Sequence, residues 1–232
     1  MLSHIWAILW KQLKDTLKNK EILIQFVMFP VLTVVMEKAI EIEGMPEHFF
    51  ANLFAVMYVG MAPLVSMAAV ISEEKEKNTL RVLQMCNVKA FEYLIGNAIY
   101  IVSMCMIGSL VIGLAGGYSG SSLMAFMGIM FLGHVTSVLL GAAVGVMSKN
   151  QMMATSLTVP VMMILSFLPM LSMFNEGIKK VARFVYSEQL HLMMNSLSNL
   201  QIKTENIVII LCNAVLVLVV FAAAYKKAFV NR

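Results

Sequence analysis

Long apolar stretches separated by short polar segments set the pattern of this chain. A helix needs about 20 mostly apolar residues to cross a hydrocarbon core about 30 Å thick. The first such stretch is the least regular, because Gln25 and Pro30 interrupt it. The pattern predicts an all-α membrane protein with six transmembrane helices, at residues 22–40, 49–71, 92–114, 123–147, 152–174 and 206–225.

The segment before the first span, residues 1–20, has a different pattern. Its apolar residues recur at helical spacing, and lysines occupy the other face. Such a helix lies in the headgroup plane, where tryptophan side chains are favoured. It is either a plain membrane anchor or an interfacial lever that carries motion from a cytoplasmic partner into the first span. The residues of the candidate lever are Trp6, Trp10, Lys11, Lys14 and Lys18.

Residues 175–205, before the last span, form the longest segment expected on the outer side of the membrane. Apolar residues recur there at helical spacing in two short runs, around Val181 and around Met194. Each run is too short to span. The pattern predicts an outer-leaflet re-entrant helical hairpin, since helices satisfy their own backbone groups at membrane depth. The alternative is a helical cap on the outer surface.

A charged segment, residues 72–89, follows the second span. Five consecutive residues beginning at Glu73 are charged, so the segment cannot lie in lipid. We expect a loop in water that is long enough to form a helix, with the Thr79 hydroxyl at its start. Leu80 and Leu83 would then form an exposed apolar ridge among charges, a surface that needs a covering partner. A solvated run of charges is the alternative.

A row of small residues runs along the fourth predicted span. Its members lie four apart and share one helix face, at Gly133, Ser137, Gly141 and Gly145. Such a row lets another helix approach closely. The partner is either a helix of the same chain or a second copy at a dimer face. We also expect His134, on the same span, to hydrogen-bond to a neighbouring helix.

Two prolines, Pro160 and Pro169, interrupt the fifth predicted span. A proline removes a backbone hydrogen bond from a helix and bends it. Because bent helices are common beside gates, both residues are candidate gate positions.

Composition agrees with a membrane protein and gives an orientation. The 232 residues are 60% hydrophobic and 13% charged, with a mean hydropathy of +0.83, which excludes an ordinary soluble domain. Twelve of the 17 basic residues lie in the N-terminal segment, the second and fourth loops and the C-terminal end. Positive residues accumulate on the cytoplasmic side of a membrane. We therefore expect a multi-pass protein of the plasma membrane with both termini in the cytoplasm.

The chain lacks the patterns of an enzyme. It contains no Gly-Lys pair, so it has no Walker motif for ATP. Cys86, Cys105 and Cys212 have neither metal-site spacing nor a disulfide framework. Polar residues within the spans are isolated, whereas intramembrane catalysis needs paired groups at one depth and ion-coupled transport needs ionisable ones. We expect no catalytic residue, no metal and no directly bound cofactor.

The charged segment resembles a known family. Its pattern Glu74-x-Glu76-x-x-Thr79-Leu80-x-x-Leu83 is similar to the first cytoplasmic loop of type-2 ABC exporter permeases. The order of elements is similar to that family over essentially all 232 residues. The resemblance implies one transmembrane permease domain over the whole chain, with a cytoplasmic coupling loop between the second and third spans.

Two positions depart from the family's usual pattern. Asn78 stands where the family usually has glycine, and Asn87 precedes Val88 where the family has proline. Asparagine tolerates a left-handed backbone better than most residues. A turn at Asn78 is therefore still expected.

The resemblance also implies partners. The coupling helix would bind a groove on a separate ABC ATPase (nucleotide-binding) subunit, which would carry ATP and Mg. Two permease copies, identical or paralogous, would pair in the membrane lipid of a bacterial cell, with no nucleic acid involved, and transport would be export. The residues implied in ATPase coupling are Glu73, Glu74, Glu76, Thr79, Leu80, Arg81, Leu83 and Gln84.

The cargo is less constrained than the family. The 22 methionines and 13 phenylalanines suit a pathway for amphipathic peptides or drugs. A non-transporting immunity or scaffold protein that binds a toxin or partner is the alternative function. Such a protein would protect cells even when the Walker lysine of the ATPase is changed, whereas a transporter would not.

Overall fold

The computed structural model describes residues 2–18, 20–40, 46–79, 85, 88–197 and 203–226. This part of the chain is helical and has no strands, which confirms the all-α fold class. Within it the nine helices are α1 (Leu2–Lys18), α2 (Lys20–Ala39), α3 (Phe49–Glu76), α4 (Ala90–Ala115), α5 (Gly120–Met147), α6 (Gln151–Phe174), α7 (Glu176–Ala182), α8 (Tyr186–Asn195) and α9 (Thr204–Tyr225).

Among the described residues, five helices are long and apolar enough to cross a membrane: α3, α4, α5, α6 and α9. The chain is therefore a multi-pass membrane protein. Helix α2 holds the first predicted span and is 20 residues long, with Pro30 inside it. Its Gln25 accepts a hydrogen bond from Ser66 of α3 at 3.2 Å. The transmembrane placement of α2, and with it the count of six spans, stays a prediction.

Helix α3 forms the centre of the bundle and α9 lies at its edge. In its most apolar 18-residue stretch, α3 has 78% of its residues buried inside the chain, whereas α9 has 11%. Helix α3 packs against α2, α4, α5, α6 and α8. Small residues permit this close approach: a Cβ at Gly60 would lie 2.5 Å from Ser166 Oγ of α6. Close van der Waals packing is what associates helices in lipid, where water supplies no driving force.

The two ends of the bundle differ in their contacts. At one end Asn52, near the start of α3, donates to Asn195 at 2.9 Å and accepts from the Tyr118 hydroxyl at 2.7 Å. Tyr118 lies in the α4–α5 connection, which turns through Gly117 at φ +80°. The last turn of α3 lies at the opposite end, about 35 Å from Asn52 at 1.5 Å per residue. That end carries α1 and the α5–α6 connection.

Two short helices, α7 and α8, precede α9, in the stretch where periodicity predicts them. The Asn175 side chain starts α7 by accepting the backbone N–H of Gly177 at 2.8 Å. Helix α8 is buried along most of its length against α3, α5, α6 and α9, although half of its residues are polar. The depth of this pair in the outer leaflet stays a prediction.

Candidate functional site at the charged end of the bundle

The last turn of α3 contacts three other helices through three consecutive residues, Glu74, Lys75 and Glu76, here named the α3 junction. The first contact is to α1, where the Lys11 ammonium forms an ion pair with the Glu74 carboxylate. The Glu74 side chain is 7% exposed and that of Lys11 is 46% exposed. A buried carboxylate is costly without a partner. Lys11 therefore helps to fix where α1 lies on the bundle.

The other two contacts cap the facing ends of α5 and α6. The Lys75 ammonium donates to the carbonyls of Val146 at 2.6 Å and Ser148 at 2.5 Å, where α5 ends. The Glu76 carboxylate accepts the backbone N–H of Gln151 at 2.9 Å, where α6 begins. Helix ends leave carbonyls and N–H groups without partners. A cation at a C-terminus and an anion at an N-terminus also match the helix dipole, so both charges have the favourable sign.

A second set of contacts ties α1 to the start of α4. His4 Nδ1 and Glu92 Oε2 lie 2.9 Å apart, and Glu92 also accepts the Lys89 backbone N–H at 3.2 Å. Further along α1, Ile8 packs against Gly96, where a Cβ would lie 2.9 Å from Ile8 Cγ2. Helix α1 is therefore attached to the bundle at several points along its length.

The candidate lever residues on α1 divide between two environments. Trp6 is 69% exposed and Trp10 is 52% exposed, and the Lys14 ammonium lies 5.2 Å from the centre of the Trp10 ring. Lys11 instead points to the α3 junction. Lys18 belongs to α1, and its side chain lies outside what the structure describes. The tryptophan face is free to meet lipid headgroups, which suits an interfacial helix.

A turn with a left-handed residue follows the α3 junction directly. Backbone N–H groups of Lys77 and Asn78 close the end of α3, and Asn78 has a left-handed backbone with φ 56°. The Thr79 hydroxyl donates to the Glu74 carbonyl at 3.1 Å, so it caps the end of α3. The Glu73 carboxylate bonds the Lys77 ammonium and raises the pKa of that lysine. These contacts set the direction in which the chain leaves α3.

Helix α3 continues beyond Ile71, where the predicted span ends, to Glu76. Glutamate and lysine are good helix formers, and the α3 junction gives their charges partners on other helices. Glu73, Glu74 and Glu76 consequently lie on the end of α3, whereas the sequence pattern places them in a charged loop after the second span. The remaining residues predicted for ATPase coupling lie outside the described residues: Leu80, Arg81, Leu83 and Gln84.

The row of small residues on α5 faces other helices of the same chain. A Cβ at Gly141 would lie 2.4 Å from the Leu64 carbonyl oxygen of α3, and one at Gly145 would lie 2.8 Å from another α3 side chain. Gly133 also has α3 and α8 within contact distance, and Ser137 Oγ lies 2.7 Å from a tyrosine hydroxyl of α8. The row therefore fixes how closely α3 and α5 approach.

The prolines and the histidine singled out in the sequence lie away from the α3 junction. Pro160 and Pro169 lie inside α6, which runs as one helix. His134 Nε2 lies 2.8 Å from Ser109 Oγ of α4, which confirms the predicted hydrogen bond to a neighbouring helix. Among the residues that the structure describes, no group of three or more His, Cys, Asp or Glu could hold a metal ion.

The contacts at this end of the bundle hold helices to one another. Ion pairs and helix caps join the end of α3 to α1, α5 and α6, so a displacement of that end changes contacts to all three helices. Sequence reasoning singled out Glu74 and Glu76 but not Lys75 or its carbonyl partners. No local signal marks those partners, because they lie about 70 residues further along the chain.

Comparison with known proteins supplies the family. A family model described as ABC-2 family transporter protein matches residues 9–226. A comparison with curated proteins finds no match. The family match runs from within α1 to just past α9 and agrees with a bundle of apolar helices. At the charged end of that bundle, contacts join α3 to α1, α5 and α6. The chain therefore belongs to the ABC-2 family of transporter proteins and is a membrane permease of that type.

Proposed function

We propose that this permease is the transmembrane subunit of an ABC exporter and couples to a separate ATPase subunit through the chain that follows α3. The observation that carries the proposal is the α3 junction, which joins that point to α1, α5 and α6. The family match supports a partnership with an ATPase, because ABC-2 permeases generally work with one. ATP and Mg would bind to that subunit.

The contacts suggest how a push by the ATPase spreads through the permease. Displacement of residues 73–84 moves the end of α3, and the Lys11–Glu74 ion pair carries α1 with it. The hydrogen bonds of Lys75 move the end of α5, and the hydrogen bond of Glu76 moves the start of α6. Two permeases, identical or paralogous, would each engage one ATPase. Their spans would then change a central pathway from inward to outward access.

The proposed setting is a bacterial plasma membrane with the α3 junction and both termini in the cytoplasm. The distribution of lysine and arginine supports this orientation. The proposed cargo is an amphipathic peptide or drug. Exposed apolar side chains on α6, including several methionines, suit such a molecule, because methionine adapts to varied apolar shapes.

The proposal is tested by reconstituting the permease with the ATPase that co-purifies from its native membrane. We expect no ATP hydrolysis by the permease alone, and hydrolysis and transport by the complex. Leu80→Asp and Leu83→Asp should abolish transport and permease-dependent stimulation of the ATPase while leaving membrane insertion intact. Lys226→Asp, which introduces an acid at an exposed position just after α9, is the matched control and should retain both activities.

Changing the Walker lysine of the ATPase separates this proposal from a scaffold or immunity protein. A transporter loses export, and any protection that export gives, with that change. Protection that persists without ATP hydrolysis contradicts the proposal. Hydrolysis by the purified permease alone also contradicts it.

A further inference from the structure

Three glutamates are buried in the described part of the chain, and one of them has no cationic partner there. Glu74 pairs with Lys11, and Glu92 contacts His4. Glu188 on α8 is 3% exposed, yet it forms no ion pair with a described residue. A buried carboxylate without a cation is costly enough that proteins usually pair it, neutralise it or give it a function. Glu188 therefore needs a separate explanation.

One hydroxyl group meets both oxygens of this carboxyl group. Ser172 Oγ on α6 lies 2.9 Å from Glu188 Oε1 and 2.8 Å from Glu188 Oε2. The same Ser172 Oγ lies 2.8 Å from the carbonyl oxygen of Pro169. Ser172 is 4% exposed, so water has little access to the group. Three acceptor oxygens thus surround a single hydroxyl.

A count of hydrogens decides between the two forms of Glu188. A serine hydroxyl has one hydrogen to donate and two lone pairs to accept. If Glu188 is ionised, all three surrounding oxygens are acceptors and only one receives that hydrogen. If Glu188 is protonated, its O–H donates to Ser172 Oγ, and the Ser172 hydroxyl donates to the Pro169 carbonyl. The protonated form turns two of the three contacts into hydrogen bonds, whereas the ionised form allows one.

The helices around Glu188 supply little charge to stabilise an ionised form. Helix α6 has no ionisable side chain and α5 has His134. Helix α9 has Glu205 in its first turn, with Cys212 and Tyr225 further along. The charges of α3 lie in its last turn, at the opposite end of the bundle. On α8 itself His191 is buried, and burial lowers its pKa, which favours the neutral ring.

A charge on α7 acts on Glu188. Lys179 lowers the pKa of the Glu188 carboxyl, but its ammonium lies beside Glu176 at 3.5 Å and is exposed to solvent. Burial is the largest influence and raises the pKa of Glu188, with Ser172 acting in the opposite direction. The net effect is upward, in agreement with the hydrogen count.

We propose that Glu188 is a proton-binding site, and that its protonated form fastens α8 to α6 through Ser172. Binding a proton converts a buried carboxylate into a donor, with no covalent bond made or broken beyond the O–H. The attachment point adjoins Pro169, one of the candidate gate residues, where α6 has lost a backbone hydrogen bond. Loss of the proton leaves a buried charge and favours separation of the two helices. The inference stands independently of any coupling to an ATPase.

The sign of the pH dependence follows from the raised pKa. The folded state holds the proton more tightly than the unfolded chain does, in which glutamate has a pKa of about 4.3. The stabilisation is therefore complete below that value and is lost as pH rises through the pKa of the folded state. Wild-type protein should show a falling unfolding temperature across this window.

Infrared spectroscopy of the full chain in lipid nanodiscs tests the proton directly, over a series from roughly pH 4 to pH 9 that brackets the ordinary glutamate pKa. We expect an infrared band of a protonated carboxyl group that persists above the pH at which exposed acids ionise, here named the late band. Glu188→Gln should remove this late band and flatten the dependence of the unfolding temperature on pH, because the amide imitates the protonated acid. Glu205→Gln, at an exposed acid of α9, is the matched control and should retain both.

A second variant keeps the test decisive if Glu188→Gln does not fold. Ser172→Ala leaves the carboxyl group in place and removes its hydrogen-bond partner, so the late band should disappear at a different pH. A late band that survives unchanged in both variants, or the absence of any late band in the wild type, overturns the proposal. If Glu188 is instead ionised and binds a cationic cargo, the wild type should show no late band.

Discussion

Lys11 of α1 and Glu74 of α3 form an ion pair that joins a surface helix to the last turn of α3, the most buried of the five candidate membrane-spanning helices among the described residues. The two residues are 63 positions apart, and each lies within one turn of other contacts between helices. Removing Lys11 and removing Glu74 should have different consequences, because only the Glu74 carboxylate is buried. This asymmetry yields the first prediction.

Lys11→Met should destabilise the protein by about 1–3 kcal/mol, the usual cost of leaving a buried polar group without its partner. Adding Glu74→Gln to Lys11→Met should restore part of that loss, since the neutral amide costs less to bury. Denaturant unfolding in detergent of the two single variants and the double variant measures the coupling. Additive effects would show that the ion pair contributes nothing.

Glu76 offers a sharper comparison, because two substitutions separate its charge from its role as an acceptor. Glu76→Gln keeps an oxygen for the Gln151 backbone N–H, so we expect it to retain most of the stability. Glu76→Ala removes the acceptor and should cost about 0.5–2 kcal/mol, as the loss of a helix cap does. Thermal unfolding of the pair distinguishes them, and equal melting temperatures would contradict the assigned cap.

Close packing between α3 and α5 depends on Gly141. A methyl group there would lie 2.4 Å from the backbone carbonyl of Leu64, which cannot move aside as a side chain can. Gly141→Ala should cost about 1–3 kcal/mol or more. Gly128→Ala on the same helix, where a Cβ has nothing within 4 Å, is the control and should be neutral or slightly stabilising. A matching effect at both sites would contradict this packing.

Asn78 ends α3 in the left-handed region at φ 56°. Asn78→Gly should be tolerated, because glycine adopts this conformation without strain. Asn78→Val should cost about 1–2 kcal/mol, since a branched side chain meets the following carbonyl oxygen there. Melting temperatures of the two variants rank them, and a valine variant as stable as the glycine variant would exclude this turn.

Sequence reasoning worked where the signal is local. Hydropathy located the apolar helices, because each needs its own continuous stretch of about 20 residues. The turn at Asn78 was expected because the resembled family has glycine there and asparagine tolerates a left-handed backbone. The hydrogen bond of His134 followed from the cost of a bare imidazole in a membrane. None of these inferences requires knowledge of which helices are neighbours.

Pairings between distant elements could not be predicted in this way. The periodicity of α1 places Lys11 on its polar face but does not reveal that this face meets Glu74. The buried side of α1 includes Gln12 and Thr16, which an apolar pattern cannot identify. The sequence does not single out Glu188, because it is one of several polar residues in an amphipathic segment. Its environment exists only once α8 packs against α6.

The most direct test of the account is the side of the membrane on which the end of α3 lies. Cys86, Cys105 and Cys212 are first replaced by alanine, and single cysteines are placed at the exposed positions Lys77 and Lys180. A membrane-impermeant thiol reagent should label Lys180→Cys in intact cells, and Lys77→Cys only after the membrane is opened. Labelling of Lys77→Cys in intact cells would put the α3 junction outside, beyond the reach of any cytoplasmic ATPase, and would contradict the proposed coupling.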